Sequence, residues 1–297
     1  MAMFDRTFRL IAAIAACVLG SATLDAAEIR ADPSRKGRGA VLEGKIEAGD
    51  FGKVRSFILD GDSADILYLA SPGGNLAEAM KIGRFVRALK LQTAIPGKFS
   101  RELEAKAAAR HNLTEPRANY VCSSACFFIF VAGIYRNDDF FSSGILGIHR
   151  PYLSESDLKA LSGDQAIAAA NRTRATVENY LKEMGVPAKY ADQMFSVSKD
   201  EVRWISKDAY QADFQGFMSE LRDWVAARCD KLTDLEKKVY EEVKHKYPDQ
   251  QSTAEKAVMA AYWKKYDVQL DCEREIRGQL AISAWMDARG RREGFRN

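Results

Sequence analysis

The chain has 297 residues, of which 47% are hydrophobic and 29% are charged, a composition typical of a globular protein with one large or two modest domains. Its formal net charge is only +3 and it has no long Lys/Arg run, which argues against a nucleic-acid partner. The three histidines are scattered without metal-ligand spacing, and no phosphate-binding loop motif is present. We therefore expect no metal site and no cofactor.

The N-terminus has the layout of a secretory signal peptide. Two arginines precede an apolar core at residues 10–19, and small residues follow near Ala26. This core is too short to span a bilayer comfortably. We therefore predict a signal peptide over residues 1–27, export, and a periplasmic location. A sequence ending at Cys17 also resembles a lipoprotein cleavage box, so a lipid anchor is the minor alternative. We expect no other membrane association.

The next segment alternates between strand and helix patterns. After a polar lead-in, residues 40–46 have strand character. Residues 66–70 form a short apolar run of the kind that makes a buried parallel strand, and the run ends at the glycine turn 71–75. Helical periodicity follows over 76–89, and a further strand is predicted at 91–95. This order predicts an α/β fold with a largely parallel sheet.

The rest of the chain continues this pattern and then changes. Residues 97–119 are charged, rich in alanine and helix-prone, which indicates a surface insertion. From residue 216 to 297, Glu, Lys, Arg, Ala and Leu recur with helical spacing, which predicts a hairpin-like extension of three or four helices. We therefore divide the mature chain into an α/β domain, 28–215, and a helical extension, 216–297. The remaining predictions are helices at 124–133, 155–184 and 191–195, and strands at 140–141, 145–148 and 202–205.

The cysteines fit an exported protein. Removal of a signal peptide that contains Cys17 would leave four, an even number in an oxidising compartment. Cys229 and Cys272 both lie in the predicted extension, where a disulfide is expected. Cys122 and Cys126 lie close together at a helix start, and we expect a local disulfide there. Two ordinary buried thiols are an equal alternative for this second pair.

Residues 120–151 contain the candidate chemistry. The small residues Ser123, Ser124 and Ala125 begin an apolar run, and His149 lies 25 residues after Ser124. Serine is a poor nucleophile unless a base takes its proton. A helix start exposes backbone N–H groups to any anion formed there. The same residues also fit a buried helix start beside a core histidine. The glycine pair at 73–74 suits either a tight turn or the binding of an oxyanion.

Taken together, these segments resemble a known family. Residues 69–75, 123–128 and 147–151 resemble the glycine turn, the nucleophile turn and the histidine strand of the Clp protease proteolytic subunit and the signal peptide peptidase A group. Residues 203–209 resemble the segment in which that sheet enters its last helix. The resemblance covers 54–215 and implies a ClpP/crotonase-like fold, with largely parallel sheets, flanking helices and frequent self-association into a homo-oligomer.

The resemblance also implies roles for individual residues. Ser124 would be the nucleophile, and His149 the general base and then the general acid. The N–H groups of Gly73 and Ala125 would form the oxyanion hole. Ser123 is a neighbouring hydroxyl that we retain as a lesser alternative to the nucleophile.

The third member of the site departs from the family pattern. In the Clp subunit an acid occupies the position that aligns with Val202, which cannot orient a histidine. Asp200 would lie on the same side of a strand as Val202, so Asp200 is the candidate acid. Otherwise the site is a Ser–His dyad, or a backbone carbonyl orients His149.

Three functions are consistent with these features. The first is an exported, ATP-independent serine endopeptidase that cleaves peptides or unfolded segments by acyl transfer. The second is a catalytically weak or inactive ClpP-like module for binding or assembly, suggested by the missing acid and by the helical extension. The third is a crotonase-like acyl-thioester enzyme, which would use the same oxyanion hole without a Ser–His pair.

Overall fold

The computed structural model describes residues 26–32, 38–61, 64–95, 121–137, 145–153, 155–247 and 249–294, with side chains up to residue 291. Most of the predicted signal peptide, including Cys17, lies outside the described residues. So do the predicted insertion at 97–119 and the predicted strand at 140–141.

The described residues form a mixed α/β structure. Its strands are β1 (Glu28–Ala31), β2 (Gly39–Glu43), β3 (Ile66–Ala70), β4 (Gln92–Ala94), β5 (Cys122–Ser123), β6 (Tyr135–Asn137), β7 (Leu146–Ile148), β8 (Arg203–Trp204) and β9 (Gly216–Phe217). Its helices are α1 (Asp50–Asp60), α2 (Leu76–Ala88), α3 (Ala125–Phe130), α4 (Glu155–Lys159), α5 (Gly163–Glu183), α6 (Lys189–Ser196), α7 (Lys207–Asp213), α8 (Ser219–Ala226), α9 (Asp234–Val243) and α10 (Thr253–Gly294).

The larger sheet has the strand order β1-β2-β3-β4-β6-β9. Strands β2, β3, β4 and β6 are parallel, and β1 and β9 flank them in antiparallel orientation. Strands β2, β3 and β4 are almost entirely buried, as expected where helices cover a parallel sheet. The predicted α/β class with a largely parallel sheet is therefore confirmed.

A smaller sheet, β5-β7-β8, carries the predicted site. Strands β5 and β7 are parallel, and β8 is antiparallel to β7. Two backbone hydrogen bonds join this sheet to the end of β3. Ser71 N–H donates to Val121 O at 2.7 Å, and Ser123 N–H donates to Ser71 O at 3.1 Å. The glycine turn and the serine turn consequently lie side by side.

The core of the α/β part is apolar and aromatic. Helix α2 packs against α3, and every residue of α3 is buried. The ring of Phe214 contacts the rings of Phe127 and Tyr190 at centroid distances of 5.7 and 4.7 Å. The Tyr180 hydroxyl donates to Phe128 O at 2.8 Å, so this buried polar group is satisfied.

One predicted helix is divided in the structure, and one predicted domain boundary lies next to a strand of the main sheet. The helix predicted over 155–184 is divided into α4 and α5, because Ser162 starts a new helix with a capping box. The boundary at residue 215 stays a prediction, and residues just beyond it contact the α/β part. Strand β9 pairs with β6 in the main sheet, and Met218 N–H donates to Ile134 O at 2.9 Å.

The extension consists of α8, α9 and the 42-residue α10, which is about 63 Å long at the usual helical rise. The second half of α10 packs on α1, where Trp285 Nε1–H donates to Ile58 O at 2.8 Å. The first half pairs with α9 through stacked Tyr240 and Tyr262 rings, 4.1 Å apart. Among the described helices, none combines the length and apolar character that a membrane span requires.

Candidate active site

Ser124 occupies an unusual backbone conformation between β5 and α3. Its φ is 58° and its ψ is −124°. A positive φ is uncommon for a residue with a Cβ, and such outliers are enriched at functional sites. Ser124 is partly exposed although the residues on either side of it are buried. Its hydroxyl makes no hydrogen bond with any residue that the structure describes. The Ser124 side chain is thus partly exposed, and its hydroxyl is not used in a hydrogen bond with the described residues.

Gly73 lies directly against this serine. A Cβ added to Gly73 would be 2.6 Å from Ser124 Cβ and 2.8 Å from the Ala125 nitrogen. The φ of Gly73 is also 102°, a value that favours glycine. Only glycine therefore allows the turn after β3 to approach Ser124 this closely.

The Ala125 N–H is the first donor of α3. Among the described residues, no acceptor faces it. Such orphan N–H groups are available to an anion. At the other end of α3, Arg136 Nη2 donates to Val131 O at 2.6 Å and Arg87 Nε donates to Ala132 O at 2.7 Å. Burial lowers the pKa of the Arg136 guanidinium to about 10, which leaves it charged at neutral pH.

The predicted Gly73 donor is already engaged. Its N–H donates to Ser71 Oγ at 3.1 Å, so it is not free in this conformation. Gly74 is a candidate that the sequence alone did not identify. Gly73 O accepts from Ile46 N–H at 2.7 Å on the β2 side of the turn. Because a trans peptide points its N–H opposite to its C=O, the Gly74 N–H is directed to the other side, where β5 and Ser124 lie.

Contacts with the following helix, α2, fix the glycine turn in place. Asn75 Oδ1 accepts from Glu78 N–H at 3.0 Å and thereby caps α2. The buried Glu78 carboxylate in turn accepts from Gly49 N–H at 3.2 Å and from Phe51 N–H at 3.0 Å. Burial alone would raise the pKa of Glu78, but these donors and Lys81 lower it below its ordinary value. The turn is therefore anchored by a charged group that stays ionised.

Ser123 is a poor nucleophile candidate in this structure. It is only 5% exposed, and its hydroxyl donates to Pro72 O at 3.1 Å. That hydroxyl holds the turn after β3 against β5. Of the two adjacent serines, Ser124 is the one whose hydroxyl is partly exposed and forms no hydrogen bond with the described part of the chain.

His149 follows the strand next to the serine. Ser123 pairs with Gly147 in parallel register, and Ser124 N–H donates to Gly147 O at 3.0 Å. Ser124 is therefore opposite Ile148, one residue before His149. Normal strand spacing then puts the Cα atoms of Ser124 and His149 about 6 Å apart. Within the described chain, however, no hydrogen bond joins the Ser124 hydroxyl to the imidazole.

The imidazole is oriented by a backbone carbonyl. His149 Nδ1 lies 2.8 Å from Arg150 O. A carbonyl oxygen only accepts, so this hydrogen bond requires the proton on Nδ1 and leaves the lone pair on Nε2. That tautomer is the one a general base needs. The ring also stacks on the exposed Tyr152 at a centroid distance of 6.0 Å.

The structure does not bring Asp200 to His149. Asp200 is exposed, its backbone N–H donates to Ser198 Oγ at 3.3 Å, and in the described residues its carboxylate forms no ion pair or hydrogen bond with the imidazole. Continued in register, β8 instead places Val202 opposite His149. The Arg150 carbonyl therefore has the role of orienting the imidazole, for which Asp200 was the candidate acid.

Both predicted disulfides are present in the structure. Cys122 and Cys126 enclose the Ser124 turn, with their Cα atoms 5.2 Å apart. Cys229 and Cys272 join the end of α8 to α10, with a Cα separation of 5.7 Å. One disulfide thus belongs to the candidate site and the other to the extension.

An exposed apolar surface borders the site. Trp204 is 43% exposed and Val202 is 37% exposed. A Cβ added to Gly147 would be 2.5 Å from Val202 Cγ1 and 3.0 Å from two ring carbons of Trp204. Both side chains therefore cover the β7 residue whose carbonyl binds Ser124 N–H.

A comparison with models of known protein families gives no match, and a comparison with curated protein sequences gives none. In the described ranges, no group of three or more His, Cys, Asp or Glu side chains is arranged to hold a metal ion. The chemistry of the site is therefore inferred from the positions of Ser124, His149 and the glycine turn.

Proposed function

We propose that this chain is an exported, ATP-independent serine peptidase that cleaves peptides or unfolded segments by acyl transfer through Ser124 and His149. The observation that carries this proposal is the backbone of Ser124, held at φ 58° against Gly73 at the end of a strand next to the one that bears His149. Serine, histidine and glycine turn converge at the carboxyl ends of three neighbouring strands. This convergence supports a ClpP/crotonase-like fold for the α/β part.

In the proposed reaction, Ser124 Oγ attacks the scissile carbonyl while His149 Nε2 takes its proton. The N–H groups of Ala125 and Gly74 donate to the resulting oxyanion, and each such donor is typically worth about 2.7–4 kcal/mol. His149 then gives its proton to the leaving amine, and water hydrolyses the acyl-enzyme with the same imidazole as base. Gly73 N–H would join the donors only after it leaves Ser71 Oγ.

The resting geometry predicts a slow enzyme. The imidazole must first rotate toward Ser124, because no hydrogen bond joins them in the resting conformation. The Arg150 carbonyl fixes the tautomer, but it carries no full negative charge with which to stabilise an imidazolium as a carboxylate does. Two disulfides support the proposed export, because such bonds persist in oxidising compartments.

The second candidate function is a ClpP-like binding or assembly module with little or no catalysis. Within the described residues, no hydrogen bond or ion pair joins Asp200 to the imidazole, and this favours the binding module because a catalytic histidine usually has a carboxylate partner. Under this alternative, Ser124→Ala would leave the biological activity unchanged.

Labelling with a fluorophosphonate distinguishes the two. The peptidase proposal expects the folded wild-type chain to be labelled, with labelling lost in Ser124→Ala and in His149→Ala. Ser123→Ala is the matched control and remains labelled, because its hydroxyl contacts Pro72 rather than the reacting atoms. A folded wild-type chain with neither labelling nor peptidase activity would leave only the binding module.

A further inference from the structure

We propose that the Cys122–Cys126 disulfide is a positioning device that keeps Ser124 in its reactive backbone conformation. The proposal rests on the function proposed above and adds a requirement to it. Without this disulfide, the reactivity of Ser124 would fall by more than the loss of overall stability explains.

The disulfide spans the unusual residue symmetrically. Cys122 lies two residues before Ser124 in β5, and Cys126 lies two residues after it in the first turn of α3. Because a rotation of φ or ψ at Ser124 swings α3 relative to β5, it changes the separation of the two cysteines. The disulfide holds their Cα atoms 5.2 Å apart.

Both ordinary backbone conformations of Ser124 are then blocked. In an extended segment, residues four apart would be separated by about 13 Å, which the disulfide does not allow. In a helical segment the separation would be about 6 Å, which a disulfide tolerates. A helix through this segment would, however, break two backbone hydrogen bonds of the sheet. These are Cys122 N–H to Ile145 O and Ser123 N–H to Ser71 O. The covalent bond excludes the first conformation and the sheet excludes the second.

The reactive geometry depends on this constraint. Among the described non-glycine residues, only Lys90 and Ser124 have a positive φ. Relaxation of Ser124 would move its Cβ and the Ala125 nitrogen away from Gly73, which they approach so closely that a Cβ there would lie within 2.8 Å of both. The nucleophile and an oxyanion donor would then separate from the glycine turn together.

Burial indicates positioning rather than redox sensing. Cys122 and Cys126 are both 0% exposed, so a dissolved thiol reaches the sulfur atoms only if the start of α3 opens. Cys272, in the other disulfide, is partly exposed. The Cys122–Cys126 bond is therefore a permanent part of the site in an oxidising compartment.

The second disulfide provides a matched control. Cys229 and Cys272 are 43 residues apart in sequence, and Cys122 and Cys126 are only 4 apart. In the chain-entropy account, closing the longer loop stabilises the folded chain more. Loss of the second disulfide should consequently lower overall stability at least as much, yet it touches no part of the Ser124 turn.

The experiment compares Cys122→Ala/Cys126→Ala with Cys229→Ala/Cys272→Ala. For each, the second-order rate of fluorophosphonate labelling at Ser124, the kcat and KM on a peptide substrate, and the urea midpoint are measured. We expect the first pair to lower the labelling rate and kcat about ten- to a hundredfold with little change in KM, the scale expected when a reacting group is misplaced. We expect the second pair to keep the wild-type rate within about twofold, despite its lower urea midpoint.

Amide hydrogen exchange over residues 121–127 keeps the test independent of activity. The first pair should accelerate exchange at the Ser124 turn, and the second pair should not. If the wild-type chain is not labelled, the proposed function fails and exchange alone decides the positioning claim. Should the alanine pair not fold, Cys122→Val/Cys126→Ala preserves more of the buried volume. Equal labelling rates and equal exchange in the two disulfide variants would overturn the proposal.

Discussion

The α/β part and the C-terminal helices are stabilised by different means. In the α/β part, fully buried residues such as Phe127, Tyr190 and Phe214 pack around the sheets. In the pairing of α9 with α10, Val243 of α9 is buried, and the contact includes stacked Tyr240 and Tyr262 rings and an ion pair between Lys265 and Glu236. The disulfide of this region joins the end of α8 to α10. Only a well-packed scaffold can hold a costly backbone conformation such as that of Ser124. The site is accordingly found in the α/β part.

The largest effect should come from removing a central ring. Phe214→Ala leaves a cavity among Phe127, Tyr190 and Tyr210 and should lower the free energy of unfolding by about 3–5 kcal/mol. Tyr262→Ala removes a partly exposed ring in the extension and should lower it by about 1–2 kcal/mol. Urea unfolding of both variants measures the difference. Equal losses would show that the two regions are packed alike.

The next effect concerns the site. Gly73→Ala places a Cβ 2.6 Å from Ser124 Cβ and should reduce labelling of Ser124 about 10²–10³-fold while the chain stays folded. Gly216→Ala is the control, since Gly216 also has a positive φ, 83°, but a Cβ there meets nothing within 4 Å. It should carry the backbone strain without the loss of labelling. If both substitutions reduce labelling equally, strain rather than the contact with Ser124 is responsible.

A smaller effect tests how the extension is joined to the α/β part. Trp285→Phe removes the hydrogen bond from Nε1–H to Ile58 O and should lower the free energy of unfolding by about 1 kcal/mol. Trp263→Phe changes a 44% exposed ring in the first half of α10, the half that pairs with α9. It should lower the free energy of unfolding by less, below about 0.5 kcal/mol. The urea midpoints of the two variants should therefore differ. Identical midpoints would remove Trp285 as the point of attachment.

The smallest effect is a pH dependence of α9. Thr233 N–H, the Thr233 hydroxyl and Lys265 Nζ all contact the Glu236 carboxylate and lower its pKa to about 2. Because this pKa is below the ordinary 4.5, the contribution of the carboxylate is fully present above pH 4.5 and is lost as the pH falls toward 2. The melting temperature should decline slightly over that window, and Glu236→Gln should weaken this part of the decline. Glu242→Gln, on the same helix, should not.

Local patterns predicted much of this architecture. The apolar run before Ser71, the glycines after it and the helical periodicity beyond them are sufficient for β3, the turn and α2. The strand that ends at His149 and the helices of the extension were likewise visible in the sequence. Such features depend on neighbours along the chain, and a short window of sequence records them.

The remaining features depend on contacts between distant segments. Strand alternation put Asp200 on the side of Val202, but it could not show that the His149 imidazole bonds to the Arg150 carbonyl and not to the Asp200 carboxylate. Nor could it show that Ser71 Oγ accepts from Gly73 N–H, which leaves Gly74 as the better donor. Strand β9 was missed because Gly216 and Phe217 form no apolar run, and because the strand exists through its pairing with the distant β6.

The most direct test of the central claim is the position of the covalent adduct. The folded wild-type chain is treated with a fluorophosphonate, digested and mapped by mass spectrometry. Our interpretation predicts a single adduct on Ser124 and an unmodified Ser123, since the Ser124 hydroxyl is partly exposed and bonds to no described residue, while the Ser123 hydroxyl donates to Pro72 O. An adduct on any other residue, or none on a chain whose fold is verified, would contradict it.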